Sequence, residues 1–265
     1  GPSTGSATKG ADGDIQFMRW GNSGGLPVIV LAPVDVKDCY LLTLQAFNLA
    51  EKYRCPVFLA SNKEIGLTRE SIDLGKIEVP EILRRTEFAG DSKLYLPFEV
   101  KHGQDVADFL PIGDKTLVRQ TSSTHGADGY ITTDKAEIDK HRRRMKDKLE
   151  KNVQEFSFHE YLPVKGATTI IITYGVTSRA ARQAILQSNT AEASLLVLKT
   201  LWPVPVDVIL KTAASYTDVL VVEMNLGQYV LEIERLFPDK NIRFLGRMDG
   251  TLISPAQIME EVAHG

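Results

Sequence analysis

The chain has 265 residues, 43% of them hydrophobic and 25% charged, enough to bury a substantial core in one large or two modest domains. Thirty-one Lys and Arg stand against 34 Asp and Glu, a formal charge of -3, which excludes a global field drawing the chain to nucleic acid or an anionic membrane. The only cysteines, Cys39 and Cys55, form no CxxC pair, and an iron–sulfur cluster takes about four thiolates, so this chain alone cannot hold one.

The first segment, GPSTGSATKGADGD (1–14), is loop-like and begins on Gly1 instead of Met, so we expect a fragment, a processed product or the ordered part of a longer polypeptide. LPVIVLAP (26–33) is an apolar, β-branched run suited to a strand covered on both faces. Asp35 can cap a helix to about Tyr53, with Leu41, Leu44, Ala46, Phe47 and Leu49 as its apolar face, and Pro56 opens the strand PVFLAS. From about Gly66 to Lys165 regular signals weaken, except for one polar helix around 135–152 whose HRRRMKDKLEKN mixes both charges and reads as a solvated face.

The last hundred residues alternate regularly. ATTIIITYG (167–175) reads as a strand, Thr177 starts a helix, LLVLKTLWP (195–203) reads as one further strand, and Pro205 opens a helix. DVLVVEMN (218–225) is a third strand, a helix follows from about Gln228, 241–248 form a fourth strand, and Ser254 with Pro255 starts the last helix. The fold class is therefore α/β, with 1–75 as the end of one α/β domain, 76–165 as an irregular connection and 166–265 as a parallel α/β domain. No apolar run approaches the roughly 20 residues that span a bilayer and no signal peptide opens the chain, so the expectation is a soluble cytoplasmic protein.

Few residues point to chemistry. Ser3 and Thr4 offer hydroxyls on a loop that Gly5 lets approach a ligand closely, and Lys9 could add a positive charge for a carboxylate or phosphate; a plain turn explains the same residues. Asn225 and Gly227 suit either a helix cap and turn or a ligand contact, while Glu223, at the end of a buried strand, requires a partner. The histidines show no metal-ligand spacing, so no metal residue is assigned; no nucleophile motif is present, and no catalytic or cofactor-binding residue is named.

Taken together, GPSTGSATKGADGD, MRWG (18–21), the 38–57 segment, VVEMNLGQ (221–228), Thr124–His125 with Asp128–Gly129, and the closing GRMDGTLISPAQI resemble the α subunits of 2-oxoacid:ferredoxin oxidoreductases along nearly the whole chain. The resemblance implies the end of a pyrimidine-type thiamine-diphosphate-binding domain followed by a transketolase C-terminal-like domain. It implies oxidative decarboxylation of a 2-oxoacid to acyl-coenzyme A, an EC 1.2.7-type reaction, with electrons passed to ferredoxin. A β subunit would supply most contacts to the diphosphate, its Mg²⁺ and an iron–sulfur cluster, in a hetero-oligomer of (αβ)2 type without nucleic acid or membrane. Thr4 resembles the hydroxyl donor to the 2-oxoacid, with Ser3 and Gly5 shaping its loop; a substrate-pairing arginine and an activating glutamate belong upstream of the given sequence.

Asn22 and Ser23 depart from the Thr-His or His-Gly usual after the RWG segment, and Ser6–Ala7 replaces Leu-Pro after GPSTG, so substrate choice is open. EMNLGQ favours 2-oxoglutarate. The competing readings are a transketolase-like or deoxyxylulose-phosphate-synthase-like thiamine subunit without ferredoxin, and a non-catalytic interaction module of the same fold.

Overall fold

The computed structural model describes residues 9–187 and 192–264. Its first sheet holds β1 (Ile29–Leu31) at the centre, parallel to β2 (Val57–Leu59), with α1 (Ile15–Trp20) before them and α2 (Val36–Tyr53) between them. Asp35 caps α2 as the sequence requires, its carboxylate accepting from Asp38 N at 2.7 Å. The apolar face differs from the expectation: Leu42, Leu49 and Tyr53 are buried, whereas Phe47 is 68% exposed. Asn48 explains the rotation, because its buried amide donates to Glu81 O and accepts from Leu83 N, tying the following irregular segment to the helix.

After α3 (Lys63–Leu67), the described residues up to 134 contain short 3-10 turns and two isolated bridges, Glu87 to Phe109 and His125 to Ile131. Then α4 (Lys135–Glu150) buries Leu149 against α2 and carries on its outer side the ion pairs Arg143–Asp139 and Lys151–Asp147. Such i,i+4 pairs on an exposed helix contribute a few tenths of a kcal/mol each. This matches the solvated face read from the mixed charges.

The second sheet has the order β3–β5–β4–β7–β8, formed by β3 (His159–Leu162), β4 (Thr169–Tyr174), β5 (Ala193–Leu198), β7 (Asp218–Glu223) and β8 (Asn241–Gly246). β4, β5, β7 and β8 pair in parallel, as their βαβ spacing predicts; β3 adds an antiparallel edge. Alternate residues serve two layers. Ile170, Ile172, Leu196 and Val219 pack towards α6 (Val206–Ala213) and α7 (Val230–Leu236), whereas Ile171, Leu195 and Leu220 pack towards α5 (Thr177–Gln187) and α8 (Pro255–Ala263). Each fully buried isoleucine contributes roughly 1.5–3 kcal/mol. Ser254 and Gln257 form a reciprocal capping box for α8, behind Pro255.

One expectation is corrected. LLVLKTLWP is not a single strand: it bends at Lys199, and β6 (Thr200–Trp202) leaves the second sheet to pair antiparallel with β1. Lys199 N donates to Phe158 O and Ala32 N donates to Lys199 O, so both sheets are anchored at the bend. The Lys199 ammonium lies 2.8 Å from Asp38 and 2.5 Å from Glu160, and these two partners are remote in sequence, which is why no local pattern shows the break.

Candidate functional site

The leaving ends of β2, β4 and β7 are met by the segment 11–18, which lies beside Asn62 and Tyr174 and bonds to Met224 O. Open parallel sheets bind ligands at such carboxyl ends, where the strand order reverses; here β4 sends its crossover to β5 on one side and has β7 on the other. Asp12 N donates to Met224 O at 2.8 Å, Asn225 Nδ2 donates to Asp12 O at 3.1 Å and Gln228 Nε2 donates to Gly13 O at 2.6 Å. Gln16 completes the junction, its N–H donating to Gln228 Oε1 and its amide to Gln228 O.

A cavity of about 440 Å³ opens beside this junction, lined by Asp12, Phe17, Met18, Leu59, Asn62 and Tyr174 among others. Asp12 Oδ1 accepts from Asn62 Nδ2 at 3.2 Å, and Asn62 is itself fixed by capping α3 through Ile65 N. Asp12 Oδ2 is buried with no hydrogen-bond partner. Burial pushes the Asp12 carboxyl up to about 6; the Asn62 hydrogen bond opposes the shift and the nearby Glu223 carboxylate adds to it.

Asp12 thus binds a proton more tightly when folded than when unfolded, and folded stability falls as pH rises from about 4 to about 6. At about pH 7.5, Asp12→Asn should therefore raise stability by about 1–3 kcal/mol, with the advantage vanishing below about pH 4. Thermal melts of both proteins across that range check this. A variant less stable than wild type at neutral pH would contradict the burial argument.

Glu223, which needed a partner, has several. It is 1% exposed and accepts from Tyr174 Oη at 2.6 Å, Asn225 Nδ2 at 2.9 Å, Tyr229 N at 2.9 Å and Val230 N at 2.8 Å. Asn225 does not cap the next helix, which starts after Tyr229 with Glu223 accepting from Tyr229 N and Val230 N; its Oδ1 instead closes the preceding turn by accepting from Gly227 N and Gln228 N, while its Nδ2 reaches Asp12 O. Gly227 takes φ 91°, a conformation that glycine tolerates.

Ser3, Thr4 and Gly5 lie outside the described residues. Lys9 is exposed, and its stem packs against Gly250, where an added Cβ would lie 2.7 Å from Lys9 Cβ. Sequence reasoning missed Asp12 and Asn62, because GADGD reads as turn chemistry and their contact spans 50 residues. It also missed the 5.0 Å approach of the His125 and His141 rings; even so, no metal-binding group of three or more His, Cys, Asp or Glu occurs among the described residues. Burial raises both thiols, Cys55 to about 11, so these cysteines stay protonated and inert at neutral pH.

A second cleft of about 520 Å³ lies at the entering end of β1, by Pro27 and Val28. Its charged groups are engaged, with Arg235 paired to Glu232 and Arg19 stacked on Trp20, and it lies away from the strand ends where ligands bind.

A family model described as the thiamine-diphosphate-binding part of pyruvate flavodoxin/ferredoxin oxidoreductase matches residues 1–146, and one for pyruvate:ferredoxin oxidoreductase core domain II matches 167–258. The 2-oxoglutarate synthase subunit KorA of Methanothermobacter marburgensis is 31% identical over 98% of this chain, which spans 70% of that subunit. The KorA of Methanocaldococcus jannaschii is 33% identical over 99%, again with 70% of its length spanned. Among solved structures, a 2-oxoglutarate:ferredoxin oxidoreductase from Magnetococcus marinus, with 2-oxoglutarate, coenzyme A and succinyl-coenzyme A bound, superposes on all of this chain with a TM-score of 0.84 at 26% identity. This chain spans 46% of that one.

Proposed function

Since the chain belongs to the 2-oxoacid:ferredoxin oxidoreductase family, matched over both of its α/β parts, we propose that it is the α-subunit portion of such an enzyme with 2-oxoglutarate as its substrate. The reaction converts a 2-oxoacid, coenzyme A and two oxidised ferredoxins into acyl-coenzyme A, CO2, a proton and two reduced ferredoxins. The observation that supports this reading is the hydrogen-bonded junction bringing the residues after GPSTG to the carboxyl ends of β2, β4 and β7.

Thiamine diphosphate supplies, when bound, the nucleophile and electron sink for decarboxylation. The residues present fit its ring portion: Phe17, Met18 and Leu59 give apolar walls, and the unpartnered Asp12 Oδ2 suits an N–H or O–H donor. With two cysteines in the chain, an iron–sulfur cluster falls to a β subunit, as does the Mg²⁺-bound diphosphate, in an (αβ)2 assembly that works in the cytoplasm. Thr4, between Ser3 and Gly5 in the sequence, donates a hydrogen bond to the 2-oxoacid, and Asp12 holds or releases a proton at Oδ2 beside the cavity.

The test uses the full subunit assembled with its partner. Wild type should reduce ferredoxin only when 2-oxoacid and coenzyme A are both present, with 2-oxoglutarate preferred over pyruvate and branched-chain 2-oxoacids. Thr4→Val removes the donor while keeping the shape, and should cost roughly 1.5–3 kcal/mol, about 10- to 150-fold in kcat/KM. Thr4→Ser should be much milder. A complex that transfers a ketol group without any electron acceptor would instead establish a transketolase-like enzyme.

A further inference from the structure

The helix after β4 begins with hydrogen-bond donors that the described residues leave unused. β4 is the strand at which the order of the second sheet reverses, and the turn after it, with Gly175 at φ 58°, leads directly into the 11 residues of α5. Val176 holds the position before the helix, and its side chain offers no acceptor to the first N–H groups. Ser178 closes the turn instead, with its Oγ at 2.7 Å and its N–H at 3.2 Å both donating to Gly175 O, and Arg179 N donates to Val176 O. Among the described residues, Val176 N and Thr177 N meet no acceptor. Thr177 is only 3% exposed, and its hydroxyl has no hydrogen-bond partner. A buried donor without an acceptor costs free energy, and this one adjoins a space that could supply the acceptor.

Val176 and Thr177 line a cavity of about 310 Å³, whose wall also holds Glu64, Arg179, Met224 and Ile253. It shares no lining residue with the cavity beside Asp12. The start of a helix at the leaving end of a parallel strand favours negative charge, through both its open N–H groups and the helix dipole. The charged wall residues limit how much. Arg179 binds Glu70 through Nη1 at 2.8 Å and has further N–H groups to offer, whereas Glu64 brings a carboxylate to the same space. A doubly charged oxyanion would be repelled by Glu64; a singly charged one is balanced by Arg179 and the helix start. Val176, Met224 and Ile253 add apolar wall, and a volume at the small end of ligand pockets admits only a short chain.

We propose that this cavity binds a small aliphatic monocarboxylate, its carboxylate accepting from Thr177 Oγ1 and the open N–H groups of Val176 and Thr177, and its hydrocarbon end lying against Met224 and Ile253. The inference needs neither Thr4 nor the reaction proposed above.

The test titrates butyrate into the full subunit assembled with its partner and follows hydrogen exchange in a peptide spanning 174–182. Exchange there should slow in wild type, with half-saturation on the order of 1 mM for so small a ligand. Thr177→Val keeps the shape, removes the donor to a charged acceptor and should weaken binding roughly 10-fold or more. Without butyrate it should melt no lower than wild type, because it replaces a hydroxyl that has no partner. Glu64→Gln removes the opposing charge, so it should strengthen butyrate binding and let inorganic phosphate protect the same peptide, which phosphate should not do in wild type.

Butyrate that leaves exchange at 174–182 unchanged in wild type, or that binds Thr177→Val as tightly as wild type, would overturn the inference. So would phosphate binding wild type more tightly than butyrate, or Glu64→Gln leaving the preference between them unchanged. The last comparison decides the matter even if Thr177→Val melts lower than expected.

Discussion

Glu223→Ala is expected to lower stability by about 4 kcal/mol, a fall of roughly 10 °C in melting temperature for a chain of this size. The carboxylate is buried at the end of β7 and accepts from the first N–H groups of α7, from Tyr174 and from Asn225. Truncation strands all of these donors at once, and each buried unsatisfied group costs about 1–3 kcal/mol unless water enters. Glu223→Gln keeps an acceptor and the side-chain volume, but aims an amide N–H at donors, so it should lie between Ala and wild type. Thermal melts of the three proteins order them, and an alanine variant melting within about 2 °C of wild type would show that these donors find other partners.

Lys199→Met should destabilise by about 3–5 kcal/mol, because it leaves Asp38 and Glu160 facing one another without their shared cation. Lys199 is only 14% exposed at its side chain. Burial alone would lower its ammonium, but hydrogen bonds to both carboxylates outweigh that and raise it. Asp38 sits above its ordinary range through burial, only partly offset by Lys199; for Glu160 the pairing with Lys199 and Arg182 exceeds the burial effect and holds it below its usual value.

Glu160 therefore contributes stability above its unfolded pKa, and that contribution is lost as pH falls through its lowered folded value. In Lys199→Met both carboxyls gain protons at higher pH than in wild type, so the deficit seen at about pH 7.5 should shrink on acidification to about pH 5. Denaturant unfolding at the two pH values measures it. A deficit independent of pH would point to lost packing instead of uncompensated charge.

What could be read from the sequence was local. Asp35 and Ser254 cap the helices they announce, and the β-branched runs 167–175 and 218–225 lie side by side in parallel because crossovers of this length permit little else. What could not be read was set by distant partners. The split of LLVLKTLWP depends on Asp38 and Glu160 meeting Lys199, and the inward turn of Asn48 depends on the backbone at Glu81 and Leu83. β3 escaped notice because HEYL is four residues long, lies on an edge and alternates in exposure without an apolar signal. For the site, the sequence demanded a partner for Glu223 but could not say that it would be Tyr174 and the start of α7. The unpartnered oxygen of Asp12 arises from packing against Asn62 and Tyr174, contacts no turn signature encodes.

The bend at Lys199 also determines how movement passes through the molecule. Hinges between domains usually consist of several loop residues able to absorb torsion, and here a single residue separates β5 from β6, with its backbone bonded to Phe158 and Ala32 and its side chain held by two carboxylates. Such a joint transmits rotation like a rigid crank instead of yielding. A push on the second sheet therefore reaches β1 without slack, and the joint at Lys199 itself absorbs none of it.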